Sequence, residues 1–451
     1  MGIVIESEVW EPNPYLYIFL LFSSLFSLTL LPHFTKNSNR TIGVFDLSSV
    51  PASFRRFQGS LLLIYSLASV MEGLGSVFGE FEYASYGISR EQIVLSLCVG
   101  SAASLLVGSL LGIIGDLIGQ KKVCLLFCVL HLLVGIWKRL TMNPCVWVAS
   151  ICLAVASSIF SFGFEMWVVA EHEKLGHRQA LSDTFWLMAF SESASHIGSQ
   201  ILANSLASSS GEQRFDFLYT AAIFLATICL IYVTREWKES PNVASIGSYR
   251  MSFSGNIIGD KRIWLLAWAQ ACLQFSIMVV WILWAPTVVA DGREVRLGMI
   301  YPCFMGARML GSTAVSWFTG GPSPVRSEDY LLYAFIVNAI VLSIAAYDYQ
   351  EIGVLVTLFC IFHACVGLIL PSLAQLRTMY VPNELRGGMI SLSTAPANAA
   401  MLIVLIQGGY HRNVGNATIM AFAAFGLFSA AGCMHQLKKW GKHPHQNWHK
   451  L

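Results

Sequence analysis

Apolar runs about 20 residues long recur from near the start of this chain to near its end, and that repetition restricts the fold more than any other feature. In a bilayer the backbone has no water to bond, so a single run of this length can satisfy its own N–H and C=O groups only as a helix. Thirteen such runs are predicted, over residues 15–32, 58–81, 91–115, 122–140, 145–171, 180–207, 217–234, 263–288, 297–318, 330–347, 352–376, 387–408 and 416–434. Composition agrees: 55% of the 451 residues are hydrophobic and 12% charged, about half the charged fraction of a soluble domain. The mean hydropathy is +0.61. An all-α integral membrane protein is expected, and a soluble enzyme is excluded.

The longest stretch without an apolar run, Arg235 to Arg262, is polar and divides the last twelve spans into six and six. The predicted organisation follows from it. Residues 1–57 form an anchor helix and a basic loop, 58–234 a first six-helix bundle, 235–262 a central loop, 263–434 a second bundle and 435–451 a basic tail. If the first span enters from the non-cytosolic side, 20 of the 28 Lys and Arg residues fall on the cytosolic side and 7 on the other. The positive-inside rule selects that orientation, with the N-terminus outside and the C-terminus in the cytosol. No Lys or Arg precedes the first run and no small-residue cleavage site follows it, so it reads as a retained anchor. Glu6 stands where a myristoylation signal needs Ser or Thr. Asn39 and Asn416 begin sequons, one predicted cytosolic and the other close to the membrane.

Other function classes find little support. No basic run with interleaved aromatics suggests a nucleic-acid partner. The 11 cysteines lack CxxC pairing and metal-ligand spacing, so no cofactor or metal is implied. No phosphate-binding glycine loop points to ATP-driven pumping, and no nucleophile and base stand at a recognisable spacing.

The remaining basic residue is Arg308, in the middle of the run 297–318. An ionisable group at that depth costs about 2.5–3.5 kcal/mol on insertion scales, so it needs a partner or a wet cavity. Arg308 either binds an anionic substrate, since guanidinium offers paired donors to an oxyanion, or pairs with a buried carboxylate such as Glu165 or Glu192. Glu72 and Glu165 are candidates for loading and releasing a proton, with an interhelical ion pair as the alternative for Glu165. Glu192 and His196, at i and i+4, are further proton-coupling candidates and share a helix face with Ser199, which is either a polar cavity wall or a helix contact. His363, alone in an apolar run, is a candidate substrate ligand or a core histidine, and His131 reads as a core histidine. Gln270 and Gln274, also at i and i+4, and Asn398, just after Pro396, carry amides able to bond an oxyanion or a neighbouring helix. Gly100, Ser104, Gly108 and Gly112 form a small-residue stripe suited to close helix packing.

Two six-helix halves joined by a polar loop resemble the major facilitator superfamily. Between the second and third core spans, Gly112-Ile113-Ile114-Gly115-Asp116-Leu117-Ile118-Gly119-Gln120-Lys121-Lys122 resembles its loop signature, in which Gly112, Asp116, Gly119, Lys121 and Lys122 hold the matching positions. The resemblance implies a conformational-switch role for these five residues. Further motifs are similar to the molybdate-anion transporter branch: Phe164-Glu165-Met166-Trp167 with Glu171-His172, Leu283-Trp284-Ala285-Pro286, Phe304-Met305, Leu310-Gly311-Ser312, Leu376-Arg377, Val381-Pro382 and Pro396-Ala397-Asn398. That branch implies a 12-helix core preceded by one extra N-terminal span, a small molybdate-like anion as substrate, and protons as its coupling ion. The chain departs from the branch at His363, Thr394 and Glu72-Gly73-Leu74-Gly75-Ser76, where the branch has a glutamate, an arginine and a different carboxylate-bearing motif. An arginine absent at Thr394 and present at Arg308 suggests a cationic centre that has moved.

Overall fold

The computed structural model describes residues 9–35, 52–85, 89–141, 145–177, 180–208, 216–237, 246–289, 294–320, 325–347, 351–411 and 413–441. The sequon at Asn39, most of the basic loop before the core and the end of the basic tail lie outside these residues.

The described residues are almost wholly helical, as the apolar runs require. In chain order the helices are α1 (Pro14–Thr35), α2 (Ala52–Ser85), α3 (Arg90–Ala103), α4 (Ser109–Ile118), α5 (Gln120–Leu140), α6 (Val146–Lys174), α7 (Leu181–Ser208) and α8 (Asp216–Glu236). They continue with α9 (Ile246–Phe253), α10 (Lys261–Val288), α11 (Leu297–Gly320), α12 (Ser327–Ala346), α13 (Ile352–Tyr380), α14 (Arg386–Val404) and α15 (Asn416–Gly441). A π-helical turn, Ser104–Gly108, joins α3 to α4 into one long element. Among the described residues, ten helices are long and apolar enough to cross a membrane. Local chemistry sets their ends. Ser89 and Gln92 form a capping box that opens α3, and the Asp260 carboxylate caps α10 by accepting from the Arg262 N–H at 2.8 Å. Gly119 closes α4 at φ +107°, a backbone conformation that a side chain would strain.

Neighbour relations repeat between the two halves. In the first, α2 packs on α7 and α8, α5 on α6 and α8, and α3 on α6; in the second, α10 packs on α14 and α15, α12 on α13 and α15, and α11 on α13. Each pairing in one list has its counterpart in the other when α2, α3–α4, α5, α6, α7 and α8 are matched to α10, α11, α12, α13, α14 and α15. The halves meet where α7 lies on α11 and where α4 lies on α14. Those two contacts exchange under the same matching, as a pseudo-two-fold axis demands.

The small-residue stripe sits where helices approach most closely. A Cβ on Gly100 would lie 2.7 Å from the Ser150 hydroxyl, and one on Gly108 would collide with the side chain of Ser158, both on α6. A Cβ on Gly112 would strike the Gly387 carbonyl, across the boundary between the halves. Helix α1 lies outside the repeat, along α11: Ser27 donates to Thr313 at 2.9 Å and accepts from the Trp317 indole at 2.9 Å.

Candidate substrate-binding site

Three helices bring the charged centre together. Helix α7 presents Glu192 and His196 on one face, α11 presents Arg308, and α2 presents Tyr65 and Glu72. Gly73 lets α2 lie against α7, since a Cβ there would sit 2.7 Å from His196 Nδ1. Gly367 on α13 fits against the Arg308 carbonyl, which holds the backbone of α11 at the position where the arginine leaves it.

Arg308 donates from Nη2 to Glu192 Oε1 at 2.8 Å, and the Tyr65 hydroxyl donates to Glu192 Oε2 at 2.7 Å. His196 Nε2 stands 3.9 Å from the same Glu192 oxygen that Arg308 holds. Both alternatives posed for Arg308 therefore meet in one place: it pairs with Glu192 and it also lines a cavity. It is 8% exposed, and its Nε has no hydrogen-bond partner among the described residues. One face of the guanidinium is thus committed and another is not.

The cavity has two lobes of about 360 and 350 Å³. Glu72 and Ser157 line both. The first lobe adds Arg308, Glu192, His196 and the aromatic rings of Trp281, Trp284 and Tyr301. The second is walled by the α3 and α6 serines and by Gln274, Thr394 and Asn398. Between them Glu72 Oε1 lies 3.0 Å from His131 Nε2. His131 therefore belongs to the site and not to an isolated core position.

On the signature-loop side the two halves are closed. Asp116 accepts from the backbone N–H groups of Gly387 and Gly388 at 3.1 and 2.7 Å, so one carboxylate of the first half caps the opening of α14 in the second. The Tyr249 hydroxyl, from the short helix α9 of the central segment, donates at 3.0 Å to Asp116 Oδ2, the oxygen that the Gly388 N–H also holds. Burial, reinforced by the Asp116 carboxylate, raises the Tyr249 pKa above the usual phenol value, so it remains a donor. Lys121 donates to the carbonyls of Thr234 and Trp237, each at 2.8 Å, at the end of α8.

A second cross-half bond lies near this closure. Arg377 donates from Nε to Glu165 Oε1 at 3.0 Å and from Nη2 to Glu165 Oε2 at 2.5 Å, and its Nη1 donates to Gln270 Oε1 at 2.9 Å. This corrects the sorting of basic residues. The apolar run 352–376 stops one residue before Arg377, so the count of basic residues assigns Arg377 to the cytosolic loops, but α13 continues to Tyr380 and leaves Arg377 5% exposed. Arg386, sorted the same way, is 1% exposed at the start of α14. Arg308 is therefore not the only arginine held within the protein. Ser182 with Gln375 at 3.2 Å, and Asn383 with Glu173, add polar contacts across the same face.

The structure gathers Arg308, Glu192, His196, Glu72, Gln274 and Asn398 around the cavity, and takes Glu165 and Gln270 away to Arg377. His363 sits elsewhere, among Phe304, Trp281 and Phe362 with ring centroids 5.1–5.5 Å apart. Neither of its ring nitrogens has a hydrogen-bond partner among the described residues. Sequence reasoning did not single out Tyr65, Tyr249 or the bonded pair of Arg377 with Glu165. The Leu-Arg dipeptide was in view as a motif, but nothing local revealed its partner 212 residues away. Among the described residues no group of three or more His, Cys, Asp or Glu could hold a metal ion.

Two pseudo-symmetric six-helix bundles around a central polar cavity define a transporter of the major facilitator superfamily, not an enzyme. A family model described as sugar transporters with 12 transmembrane segments matches residues 18–354, and the chain belongs to that family. It is 25% identical over 399 residues to a molybdate-anion transporter of Xenopus tropicalis, covering 85% of this chain and 86% of the relative. It is 24% identical over 391 residues to one of Takifugu rubripes, covering 80% and 81%. The fold is similar to that of the human organic anion transporter MFSD10, at 14% identity and a TM-score of 0.63 over 85% of this chain and 100% of that one. The E. coli fucose:proton symporter FucP is similar in fold at 12% identity and a TM-score of 0.63, over 85% of this chain and 99% of the other.

Proposed function

We propose that this protein is a secondary active transporter of a small oxyanion, molybdate in particular, that works by alternating access and couples transport to protons. The observation that carries the reading is Arg308: a buried guanidinium that lines the cavity, holds one carboxylate and keeps Nε without a partner. A tetrahedral oxyanion presents two oxygens to such a fork in bidentate fashion. Two relatives named as molybdate-anion transporters support the choice of anion.

Charge balance supports the protons. A divalent anion entering beside Glu192 and Glu72 brings negative charge into a site of low dielectric, where like charges repel far more strongly than in water. A proton on Glu192, or on the Glu72–His131 pair, offsets it. The anion then displaces Glu192 from Arg308, and the freed carboxylate is the natural acceptor. Gln274 and Asn398 supply neutral donors on the far wall, and His196, next to Glu192, is a second acceptor of protons. Glu165, which the sequence offers as another proton carrier, is held by Arg377 and serves instead to close the signature side.

Alternating access then consists of breaking the Asp116 and Glu165–Arg377 contacts while the opposite side closes over the loaded cavity. Gly112, Gly119, Lys121 and Lys122 form the switch around Asp116. With the basic loops in the cytosol, the closed face is the cytosolic one, both the N-terminus and the open cavity face away from it, and α1 is an additional membrane span.

The test is uptake of radiolabelled molybdate into proteoliposomes holding the purified protein, with and without an inward proton gradient. Uptake that the gradient accelerates, that sulfate and organic anions compete for in a defined order and that Arg308→Gln abolishes is expected. Equal molybdate uptake by the Arg308→Gln protein would overturn the role given to the arginine, and no flux of any anion would point to a receptor with a transporter's fold.

A further inference from the structure

The cavity is much larger and more varied than a single tetrahedral oxyanion needs. Its two lobes, of about 360 and 350 Å³, each lie in the range of about 300–1,000 Å³ typical of pockets for drug-sized molecules, and they differ in chemistry. The Arg308 lobe is charged and ringed by Trp281, Trp284 and Tyr301. The other holds no Lys or Arg. Its polar wall is mainly hydroxyl and amide, from residues such as Ser101, Ser157, Gln274 and Asn398, with Glu72 and His131 at one end and leucine and methionine side chains supplying apolar surface.

Several of the serines spend their hydroxyl protons on backbone carbonyls and keep lone pairs. Ser158 donates to the Ala154 carbonyl and Ser161 to the Ser158 carbonyl, which leaves their oxygens able to accept. Ser157, at the junction of the lobes, is exposed within an apolar helix that otherwise buries its surface against neighbours or lipid. The π-helical turn at Ser104–Gly108 brings Ser104 to the Ala154 carbonyl at 3.2 Å and sets this wall; such turns often mark functional sites. A row of small hydroxyls and amides is suited to a ligand that itself carries several hydroxyl groups.

We infer that the site also takes a polyhydroxylated organic monoanion, its carboxylate on Arg308 and its hydroxyl chain along the serine and amide lobe past Ser157. This rests on the anion role given to Arg308 above and extends it to a second class of substrate. A linear carbon chain with one charged end spans the junction, where an inorganic oxyanion occupies the charged lobe alone.

The test compares binding of gluconate with binding of hexanoate, which has the same carboxylate and carbon count and no hydroxyls, to the purified full-length protein by calorimetry, with molybdate measured alongside. Gluconate is expected to bind at least about tenfold more tightly than hexanoate, the effect of one or two buried hydrogen bonds. In the Ser101→Ala/Ser157→Ala protein the ratio of the two affinities should fall about tenfold. Arg308→Gln should remove binding of gluconate and of molybdate together. If molybdate binding depends on Arg308 but gluconate binds no better than hexanoate, the hydroxyl lobe has no such ligand and the oxyanion reading stands. If molybdate binding survives Arg308→Gln, the reading beneath both has failed. A gluconate preference unchanged by the serine substitutions would overturn the placement of the hydroxyl chain.

Discussion

Two buried arginine–glutamate pairs cross from one half of this transporter to the other, and they are built differently. Glu165 of α6 and Arg377 of α13 bond through both carboxylate oxygens, and Gln270 takes a third donor of the guanidinium. Glu192 of α7 and Arg308 of α11 share one bond of 2.8 Å beside a cavity, with the second carboxylate oxygen held by Tyr65. Each nitrogen of the first guanidinium donates a bond, whereas Nε of the second has no partner among the described residues. Breaking one partner of a buried pair leaves an uncompensated charge, at a cost of about 3–5 kcal/mol, so a pair bonded through every nitrogen suits a latch. An arginine with a donor to spare can exchange its carboxylate for an incoming anion. The chemistry of the pair is the same; the number of donors left over separates the roles.

The comparison can be broken most decisively at Arg308. Arg308→Gln is expected to reduce oxyanion uptake to background in proteoliposomes, while Arg308→Lys, which keeps the charge but loses the fork, should retain a small fraction. On the latch, Glu165→Gln should destabilise the protein by about 3–5 kcal/mol, read as a drop in the thermal unfolding midpoint. Restoring neutrality with Glu165→Gln/Arg377→Gln should recover a large part of that loss, and a double variant as unstable as the single one would deny the pair its latching role.

Smaller effects sharpen the same contrast. In Gly112→Ala the added methyl meets the Gly387 carbonyl, which should cost the signature-side closed form about 1–3 kcal/mol; increased reaction of a thiol reagent with Gln375→Cys, over the background of native cysteines, would report the opening. Glu192→Gln removes the charge that competes with substrate for Arg308, so its anion affinity should rise several-fold, measured by equilibrium binding. The least change is expected from Tyr249→Phe, which deletes one hydrogen bond to Asp116 and should cost about 0.5–1.5 kcal/mol.

Much of the scaffold was legible before folding. Thirteen apolar runs, the division at the central segment and the isolation of Arg308, Glu72 and Glu192 within those runs all follow from a rule that acts along the chain: in lipid each segment must satisfy its own backbone, and each charge needs a reason. The extents of the helices were less legible. A hydropathy window stops at the first charge, so the run at 352–376 closes one residue before Arg377, whereas α13 continues because Glu165 and Gln270 neutralise and bond that arginine. The central segment reads as polar loop, yet it contains α9, whose Tyr249 is buried against Asp116.

The sequence by itself determined that this is a two-bundle membrane helix protein with a few ionisable groups at depth, because hydrocarbon imposes its demands locally, one segment at a time. Only the tertiary structure decided which glutamate holds which arginine, that His131 joins Glu72 and that Gln270 leaves the cavity for Arg377. Those choices depend on helices far apart in the chain being brought together by glycine contacts such as Gly112 on Gly387 and Gly367 on Arg308. Spacing along one helix cannot encode them, since the partner lies on another helix and often in the other half.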